Sequence, residues 1–296
     1  MRRSESVRLR TGRSVAVVGV LAAAFWLSLG AVPKAETVPR VPTPRVRAEA
    51  LIILDPITGD ALWGRNFREP RPIASITKVM TVLVFLEEGR EFDLSRDVVI
   101  SRQDTLRAST TYLRSGERVT LRDLVHLALV ASDNAAARAL ARVSGLGTKR
   151  FVAEMNRKAA DFGLQQTRFV DPSGLHEGNL SSAYDVSRLI LLASERPEVA
   201  EIMRKRSYLV RTSRRERTIR STNRLLGTGV EVIAGKTGYI DEAGYCFATL
   251  VRLQDGRPVS IVVLGSSSNA GRFTEARRLV DWLSTQASVL LTSAAQ

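Results

Sequence analysis

Residues 232–241 read VIAGKTGYID, and the Gly-Lys-Thr triplet at 235–237 separates two fold classes. A phosphate-binding loop of the form G-x-x-x-x-G-K-[ST] carries such a triplet between a strand and a helix. That pattern requires a glycine at position 230, where this chain has valine. The residues that follow are rich in β-branched and apolar side chains and are interrupted by Asp255-Gly256, which predicts strand-turn-strand. The stretch therefore predicts Lys-Thr-Gly on a strand, and nucleotide binding is disfavoured.

The elements on either side of this stretch predict an α/β sheet subdomain interrupted by helices. Residues 48–66 pattern as a strand hairpin, and the apolar positions over 76–86 recur at helical spacing. The pattern is mainly helical over about 93–200, returns to strands over 207–265, and ends in an amphipathic helix over 271–287. Strands from both ends of the chain therefore form one sheet, an all-helical subdomain is inserted between them, and we expect a cleft where the two meet.

The ends of the chain differ in composition from its body. Residues 1–31 combine an arginine-rich start with an apolar run at 15–31, which is typical of a signal peptide or an N-terminal anchor. Residues 32–47 contain four prolines and are predicted to form an extended linker. We expect one folded domain over 48–287 and a tail at 288–296. The protein is predicted to be exported to the periplasm or cell envelope, where 15–31 either is cleaved or anchors it to the membrane.

The chain is basic, with a formal net charge of +14 over 296 residues. A basic exported protein indicates an anionic neighbourhood, such as a cell-wall polymer or a membrane surface, whereas export disfavours nucleic acid as a partner. The densest basic run lies at 204–220 and fits either a solvated hairpin or a docking patch for an anionic polymer. One cysteine and two histidines leave little material for a metal site, so we predict neither a metal nor an organic cofactor.

Ser75-Ile76-Thr77-Lys78 is the first candidate catalytic motif. A spacing of three residues places Ser75 and Lys78 on one helix face, one turn apart. A serine at a helix N-terminus lies where the helix dipole favours a developing anion, and a lysine with a lowered pKa can serve as its base. Taken alone, the motif is weak and favours a helix-capping serine followed by a surface lysine.

Two further motifs turn this weak signal into a specific one. Ser-Asp-Asn at 132–134 lies between apolar stretches, where polar residues ordinarily cap a helix. With Lys-Thr-Gly at 236–238, the three motifs match the S-x-x-K, S-x-N and K-T-G set of penicillin-recognising serine enzymes. Over most of 48–285 the chain resembles the serine-type D-alanyl-D-alanine carboxypeptidases and endopeptidases. These are the low-molecular-mass penicillin-binding proteins of the β-lactamase-like superfamily.

The resemblance implies both a fold and a reaction. The fold would be α/β (α+β) of the β-lactamase/transpeptidase type, with an antiparallel sheet flanked by helices and the helical insert. Ser75 would attack the D-Ala-D-X carbonyl and carry the acyl group, Lys78 would accept its proton, and Ser132 would relay a proton to the leaving amine. Peptidoglycan stem peptides or their cross-links would be substrates, and β-lactams would be inhibitors.

The resemblance also assigns five substrate-binding residues: Asn134, Lys236, Thr237, Gly238 and Tyr239. Asn134 would hold the peptide chain of the substrate. Lys236 and Thr237 would bind its carboxylate end, while Gly238 lets the strand approach the ligand. The backbone N–H of Tyr239, with that of the nucleophile, would form the oxyanion hole.

Two other functions remain as alternatives at this point. A class A β-lactamase requires a glutamate in an E-x-x-L-N setting, and the only similar stretch, at 177–180, has the wrong spacing. A catalytically inactive cell-wall binding protein would retain the fold without the chemistry. Carboxypeptidase and endopeptidase also stay open. No β-rich domain follows the helix at 271–287, which looks more like the endopeptidase branch.

Overall fold

The computed structural model describes residues 43–88 and 93–294, with side chains for 43–87 and 93–285. The expected signal peptide or anchor at 1–31 and most of the linker lie outside the described residues. The strands are β1 Ala50–Leu54, β2 Ala61–Arg65, β3 Arg71–Pro72, β4 Asp97–Val99, β5 Arg118–Thr120, β6 Leu180–Ser181, β7 Ser207–Arg211, β8 Glu216–Arg220, β9 Glu231–Ile240, β10 Gly244–Arg252 and β11 Pro258–Ser266. The helices are α1 Thr77–Glu88, α2 Arg102–Thr105, α3 Leu121–Val130, α4 Asn134–Val143, α5 Gly147–Asp161, α6 Ala183–Ser194, α7 Pro197–Arg204 and α8 Asn269–Ala294, with a 3-10 turn at Ala74–Ile76.

A five-stranded antiparallel sheet in the order β2-β1-β11-β10-β9 forms the centre of the molecule. Its strands come from both ends of the described chain, as the sequence predicts. β10 and β11 form the expected hairpin, and Gly256 in its turn has a φ of 88°, a conformation that glycine adopts without steric cost. Lys-Thr-Gly lies on β9, the strand at one edge of the sheet.

Both faces of the sheet are covered, which explains why β1 reads as a continuous apolar run. Ile52 and Leu54 belong to the core shared with the helices on one face, including α1 and α6. Leu51 and Ile53 belong to a second core, which α8 covers on the opposite face. Successive side chains on a strand point to opposite faces, so every residue of β1 is buried against one helical layer or the other.

The helical insert is present, since α2 to α7 lie between the first two strands of the sheet and its last three. It is not helical throughout. A short antiparallel ladder pairs β4 with β5, because Val98 and Val119 are β-branched and bury their side chains at this position. None of the described helices combines the length and apolar character that crossing a membrane requires.

Described structure extends beyond the predicted domain bounds of 48 and 287 at each end. Val46 is buried in the core under α8, so packing begins within the segment assigned to the linker. At the other end α8 continues to Ala294 and includes 288–294, which the sequence assigned to a tail. Those residues read SVLLTSA and contain no glycine or proline that would end a helix.

Candidate active site

Ser75 lies in the 3-10 turn that leads into α1, so the regular helix begins two residues later than the motif suggests. The preceding Ala74 has a φ of 48°, a left-handed conformation that costs energy for any residue with a side chain. Two glycines crowd this turn. A Cβ on Gly174 would lie 2.1 Å from the Ala74 carbonyl oxygen, and one on Gly238 would lie 2.6 Å from that of Ile73. The loop of Gly174 and strand β9 therefore both pack directly against the serine.

Lys78 is fully buried beside Ser75. Its Nζ lies 2.7 Å from Ser75 Oγ, 2.6 Å from Asn134 Oδ1 and 2.5 Å from the Ser173 carbonyl oxygen. Burial lowers the pKa of Lys78 to about 7, although the carboxylates of two nearby aspartates oppose the shift. In the neutral amine, the two N–H bonds can donate to Asn134 and Ser173, which leaves the nitrogen lone pair facing the Ser75 hydroxyl.

The loop at 171–174 supplies one of these acceptors, and none of its residues was among the predicted site residues. Asp171 accepts hydrogen bonds from the backbone N–H of Ser173 and Gly174 and from the side chain of Asn179. Burial alone would raise the pKa of Asp171, but hydrogen bonds from Ser173 and His176 outweigh it and hold the pKa below its usual value. The ionised carboxylate therefore fixes the turn that presents the Ser173 carbonyl to Lys78. An aspartate before Pro-Ser-Gly is a turn signal that could have marked the loop.

The three residues of the Ser-Asp-Asn motif, at the junction of α3 and α4, have three different contacts. Asp133 caps α4 by accepting from the Ala136 N–H at 2.9 Å, so the capping interpretation is right for this residue. Ser132, at a φ of 61°, directs its hydroxyl to Lys236 Nζ at 2.8 Å. Asn134 instead reaches Lys78. The motif thus joins the two lysines of the site.

Lys236 is buried on β9 and has no carboxylate partner among the described residues. Its Nζ donates to Ser132 Oγ and, at 3.0 Å, to the carbonyl oxygen of Thr237. Burial lowers the pKa of Lys236 well below its usual value, and the positive charges of Lys78 and Arg272 lower it further. A bound anion would attract these positive charges and so offset the repulsion between them. This edge of the site therefore suits a negatively charged ligand.

Two residues that sequence reasoning missed support the Lys-Thr-Gly strand. Arg272, buried at the start of α8, donates to the carbonyl oxygens of Gly238 at 2.8 Å and Cys246 at 3.1 Å. Thr222 shares a 2.6 Å hydrogen bond with the Thr237 hydroxyl. Nothing in the local sequence of either residue signals these contacts, because both partners are distant along the chain.

Tyr239 follows Lys-Thr-Gly at the exposed rim of the site. Its ring stacks on Tyr245 at a centroid distance of 4.3 Å, and its hydroxyl donates to Asp241 at 2.5 Å. Gly238 packs against the backbone nitrogen of Ser75, so β9 passes directly alongside the serine. The site thus combines Ser75 with Lys78 as an adjacent base and the Ser132 hydroxyl in contact with Lys236. The edge formed by β9 is electropositive.

The chain is similar in sequence to known proteins. Residues 36–268 match the family described as D-alanyl-D-alanine carboxypeptidase. A D-alanyl-D-alanine endopeptidase of Pseudomonas aeruginosa is 33% identical over 248 residues, which cover 83% of this chain and 80% of that protein.

Solved structures show the same similarity. A D-alanyl-D-alanine carboxypeptidase from Mycobacterium tuberculosis H37Rv superimposes with a TM-score of 0.75 at 32% identity, over 82% of this chain and 92% of its own. Penicillin-binding protein D2 from Listeria monocytogenes in its cefotaxime-bound form gives a TM-score of 0.72 at 30% identity, over 81% and 98% of the two chains.

Proposed function

Because this chain belongs to the D-alanyl-D-alanine carboxypeptidase family, we propose that it cleaves D-Ala-containing peptidoglycan peptides through an acyl-enzyme formed on Ser75. Membership of the family makes it a serine-type hydrolase with D-Ala-D-Ala peptidase activity. The observation that carries the assignment of the nucleophile is the 2.7 Å contact of Ser75 Oγ with the buried Nζ of Lys78.

Acylation begins with transfer of the Ser75 hydroxyl proton to the neutral amine of Lys78. The serine oxygen then bonds to the carbonyl carbon of the D-Ala residue, and the carbonyl oxygen becomes an oxyanion. Backbone N–H groups of Ser75 and Tyr239 are its proposed donors, since β9 passes alongside the serine. Such donors stabilise charge that develops only in the transition state, so they accelerate the reaction more than they tighten substrate binding.

Collapse of the tetrahedral intermediate breaks the C–N bond, and the leaving amine needs a proton. Ser132 is the proposed proton relay, because its hydroxyl accepts a hydrogen bond from Lys236 Nζ and Asn134, in the same motif, contacts Lys78. Water then attacks the ester, releases the shortened peptide as a carboxylic acid, and restores the Ser75 hydroxyl. The proton that Lys78 took from Ser75 passes through Ser132 to the leaving amine. In the second half of the cycle Lys78 takes a proton from the attacking water and returns it to the Ser75 oxygen, so protons balance.

The substrate carboxylate is proposed to bind at Lys236 and Thr237, where positive charge lacks an anion. We expect Lys236→Ala to lower kcat/KM by about one to two powers of ten, since a charged hydrogen bond contributes roughly 1.5–3 kcal/mol. The thermal midpoint should stay nearly unchanged, because removing a desolvated charge offsets the lost packing. Lys236→Arg keeps the charge and should retain part of the activity.

Penicillin acylation rates and thermal melts of both variants test this expectation. Lys149→Ala is a matched control, since Lys149 is exposed on α5. If Lys236→Ala is acylated at the normal rate, the Lys-Thr-Gly strand does not bind the substrate carboxylate as proposed.

β-Lactams are ligands of this fold, since a similar structure is a cefotaxime-bound penicillin-binding protein. We propose that they inhibit this enzyme by forming a slowly hydrolysed ester on Ser75. The deacylating glutamate of class A β-lactamases has no counterpart in the loop beside Lys78. Glu177 is exposed, and the nearer Asp171 carboxylate is engaged by its own loop. Fast turnover of penicillin is therefore not expected.

We propose that the bond cleaved is the D-Ala cross-link between two stem peptides, as the name of the Pseudomonas aeruginosa endopeptidase supports. Incubation with purified cross-linked muropeptide dimers and with monomeric pentapeptides, followed by mass spectrometry, tests the proposal. Conversion of dimers to monomers is the expected result. Release of D-Ala from pentapeptides with intact dimers would assign carboxypeptidase activity instead.

The basic segment 204–220 begins at the last residue of α7 and contains the β7–β8 hairpin, which lies beside this site. Ser213 and Arg215 bond to the carbonyl oxygens of Arg118 and Tyr112, and the Tyr112 N–H in turn bonds to Asp133 of the Ser-Asp-Asn motif. The hairpin is thus connected to the cleft through one short loop. A polymer held on the hairpin would lie next to the catalytic residues.

Most of the charge on this hairpin segment is not neutralised. The segment contains eight lysines and arginines and one glutamate. Only three of the cations pair with a carboxylate among the described residues: Lys205, Arg211 and Arg215.

We propose that the exposed remainder docks an anionic cell-wall polymer, in a protein exported to the periplasm or cell envelope. Cell fractionation that finds the protein in the cytosol would contradict this location.

Docking predicts that the triple change Arg214→Gln, Arg217→Gln and Arg220→Gln weakens cosedimentation with purified anionic cell walls. Added salt should weaken binding of the wild type in the same way, because exposed charges are screened. The control is Lys149→Gln with Arg150→Gln, which removes exposed charge from α5. Equal loss in both variants, or binding to anionic lipid vesicles without binding to cell walls, would contradict the polymer proposal.

A further inference from the structure

A cavity of about 490 Å³ lies between α2, α4 and the 171–174 loop. Its walls include Asp104, Arg107, Arg138, Arg142, Asp171 and Pro172. None of the residues that line it belongs to β9, so it is separate from the strand that carries Lys236. The Ser173 carbonyl oxygen, which contacts Lys78, lies in the same loop, but none of the residues that line the cavity takes part in the proposed reaction.

Two guanidinium groups in the cavity lack an anion among the described residues. Arg142 is neutralised by Asp104 at 2.7 Å, and the Asp171 carboxylate accepts hydrogen bonds from its own loop. Arg138, in contrast, donates only to backbone carbonyl oxygens, that of Leu106 at 2.5 Å and that of Asp104 at 3.4 Å. The exposed Arg107 also has no carboxylate partner, so the cavity carries net positive charge.

The cavity continues the surface that begins at the catalytic residues. Asn134 and Arg138 are four residues apart on α4, so they lie on one helix face, one turn apart. Pro172 lines the cavity, and its neighbour Ser173 contacts Lys78. The positive charge of Arg138 contributes to lowering the pKa of Lys78, so the two side chains are close enough to interact electrostatically. A peptide that is held at Asn134 and extends along α4 therefore reaches Arg138.

We propose that this cavity is a subsite for a carboxylate of the peptide on the acyl side of the scissile bond. The proposal rests on the function proposed above, which places the leaving side of the substrate at Lys236. Arginine binds carboxylates in bidentate geometry, and the planar group of Arg138 is already held by two carbonyl oxygens. The enzyme would then prefer peptides with an acidic residue ahead of the D-alanines.

The test compares matched synthetic peptides that end in D-Ala-D-Ala and carry either glutamate or glutamine at one of the two preceding positions. For the wild type we expect kcat/KM to be about tenfold higher for the carboxylate at one of these positions, which corresponds to roughly 1.4 kcal/mol. Arg138→Gln and Arg107→Gln should each move this ratio toward one, and Arg138→Lys should retain part of it. Added salt should also reduce the ratio.

Arg150→Gln on α5 is the control, because it removes an exposed arginine that does not line the cavity. Arg107 is exposed, so its variant keeps the test valid if Arg138→Gln fails to fold. A wild-type ratio near one at both positions would overturn the subsite, as would a tenfold ratio that survives both glutamine variants. Absence of peptide hydrolysis and of a penicillin adduct in the wild type would instead overturn the proposed function, and the subsite with it.

Discussion

Ser75→Ala is expected to abolish the covalent adduct that the wild type forms with penicillin. Opening of the β-lactam ring expels no fragment, so intact-mass spectrometry should find wild-type protein heavier by one whole penicillin and the variant unchanged. Peptide hydrolysis should fall on the order of 10³–10⁶-fold, as it does when serine hydrolases lose their nucleophile. The fold should survive, because the change removes one hydroxyl that contacts Lys78.

A serine away from the cleft provides the comparison for this result. Ser207 is exposed on β7, and Ser207→Ala should form the adduct as the wild type does. Peptide mapping of the wild-type adduct should place the added mass on the segment that contains Ser75. An adduct on Ser75→Ala, or one mapped to Ser132, would assign the nucleophile elsewhere.

Lys78 should govern the pH dependence of acylation. The protonated ammonium cannot accept the serine proton, and burial lowers the pKa of Lys78 to about 7. The rate of penicillin acylation should therefore rise with pH up to about 7 and then level off, as the neutral amine becomes the main form. Lys78→Met should lower the rate roughly 10²–10⁴-fold, the usual contribution of a general base, and remove this rise.

Lys78→Arg separates a base from a fixed positive charge. A guanidinium stays protonated across this pH range, so the arginine variant should be as impaired as the methionine variant if Lys78 accepts a proton. Stopped-flow measurements between pH 5 and 9 give both the acylation rate of each variant and the pH dependence of that rate. Wild-type rates in Lys78→Arg, or a flat pH profile in the wild type, would show that Lys78 acts through its charge alone.

The motifs were predictable because each is local. Ser75 and Lys78 lie three residues apart, and the helical pattern after them is enough to place both on one face. The strand assignment of Lys-Thr-Gly rests on β-branched residues and on a hairpin turn, both visible in the sequence. The Ser-Asp-Asn motif could be located between two apolar stretches, although the sequence could not tell which residue caps a helix and which ones face the cleft.

The contacts that make the site reactive were not predictable from local patterns. Lys78 meets Asn134 across 56 residues and the Ser173 carbonyl across 95. The left-handed Ala74 ahead of Ser75 carries no sequence signal, because alanine disfavours that conformation and only packing against Gly174 and Gly238 maintains it. Burial of Val46 is likewise not visible in its own residues, since it packs in the core that α8 covers.

The sequence by itself determined the order and type of the main elements, the apolar faces that pack them, and the residue types of the three motifs. Periodicity carries that information, because each helix or strand shows in its own residues which side must avoid water. The tertiary structure decided which side chains meet, and with that the chemistry of Lys78 and the uncompensated charge around Lys236. A lysine's pKa depends on the water and charge around it, and these are set by segments far apart in the chain that come together only when it folds.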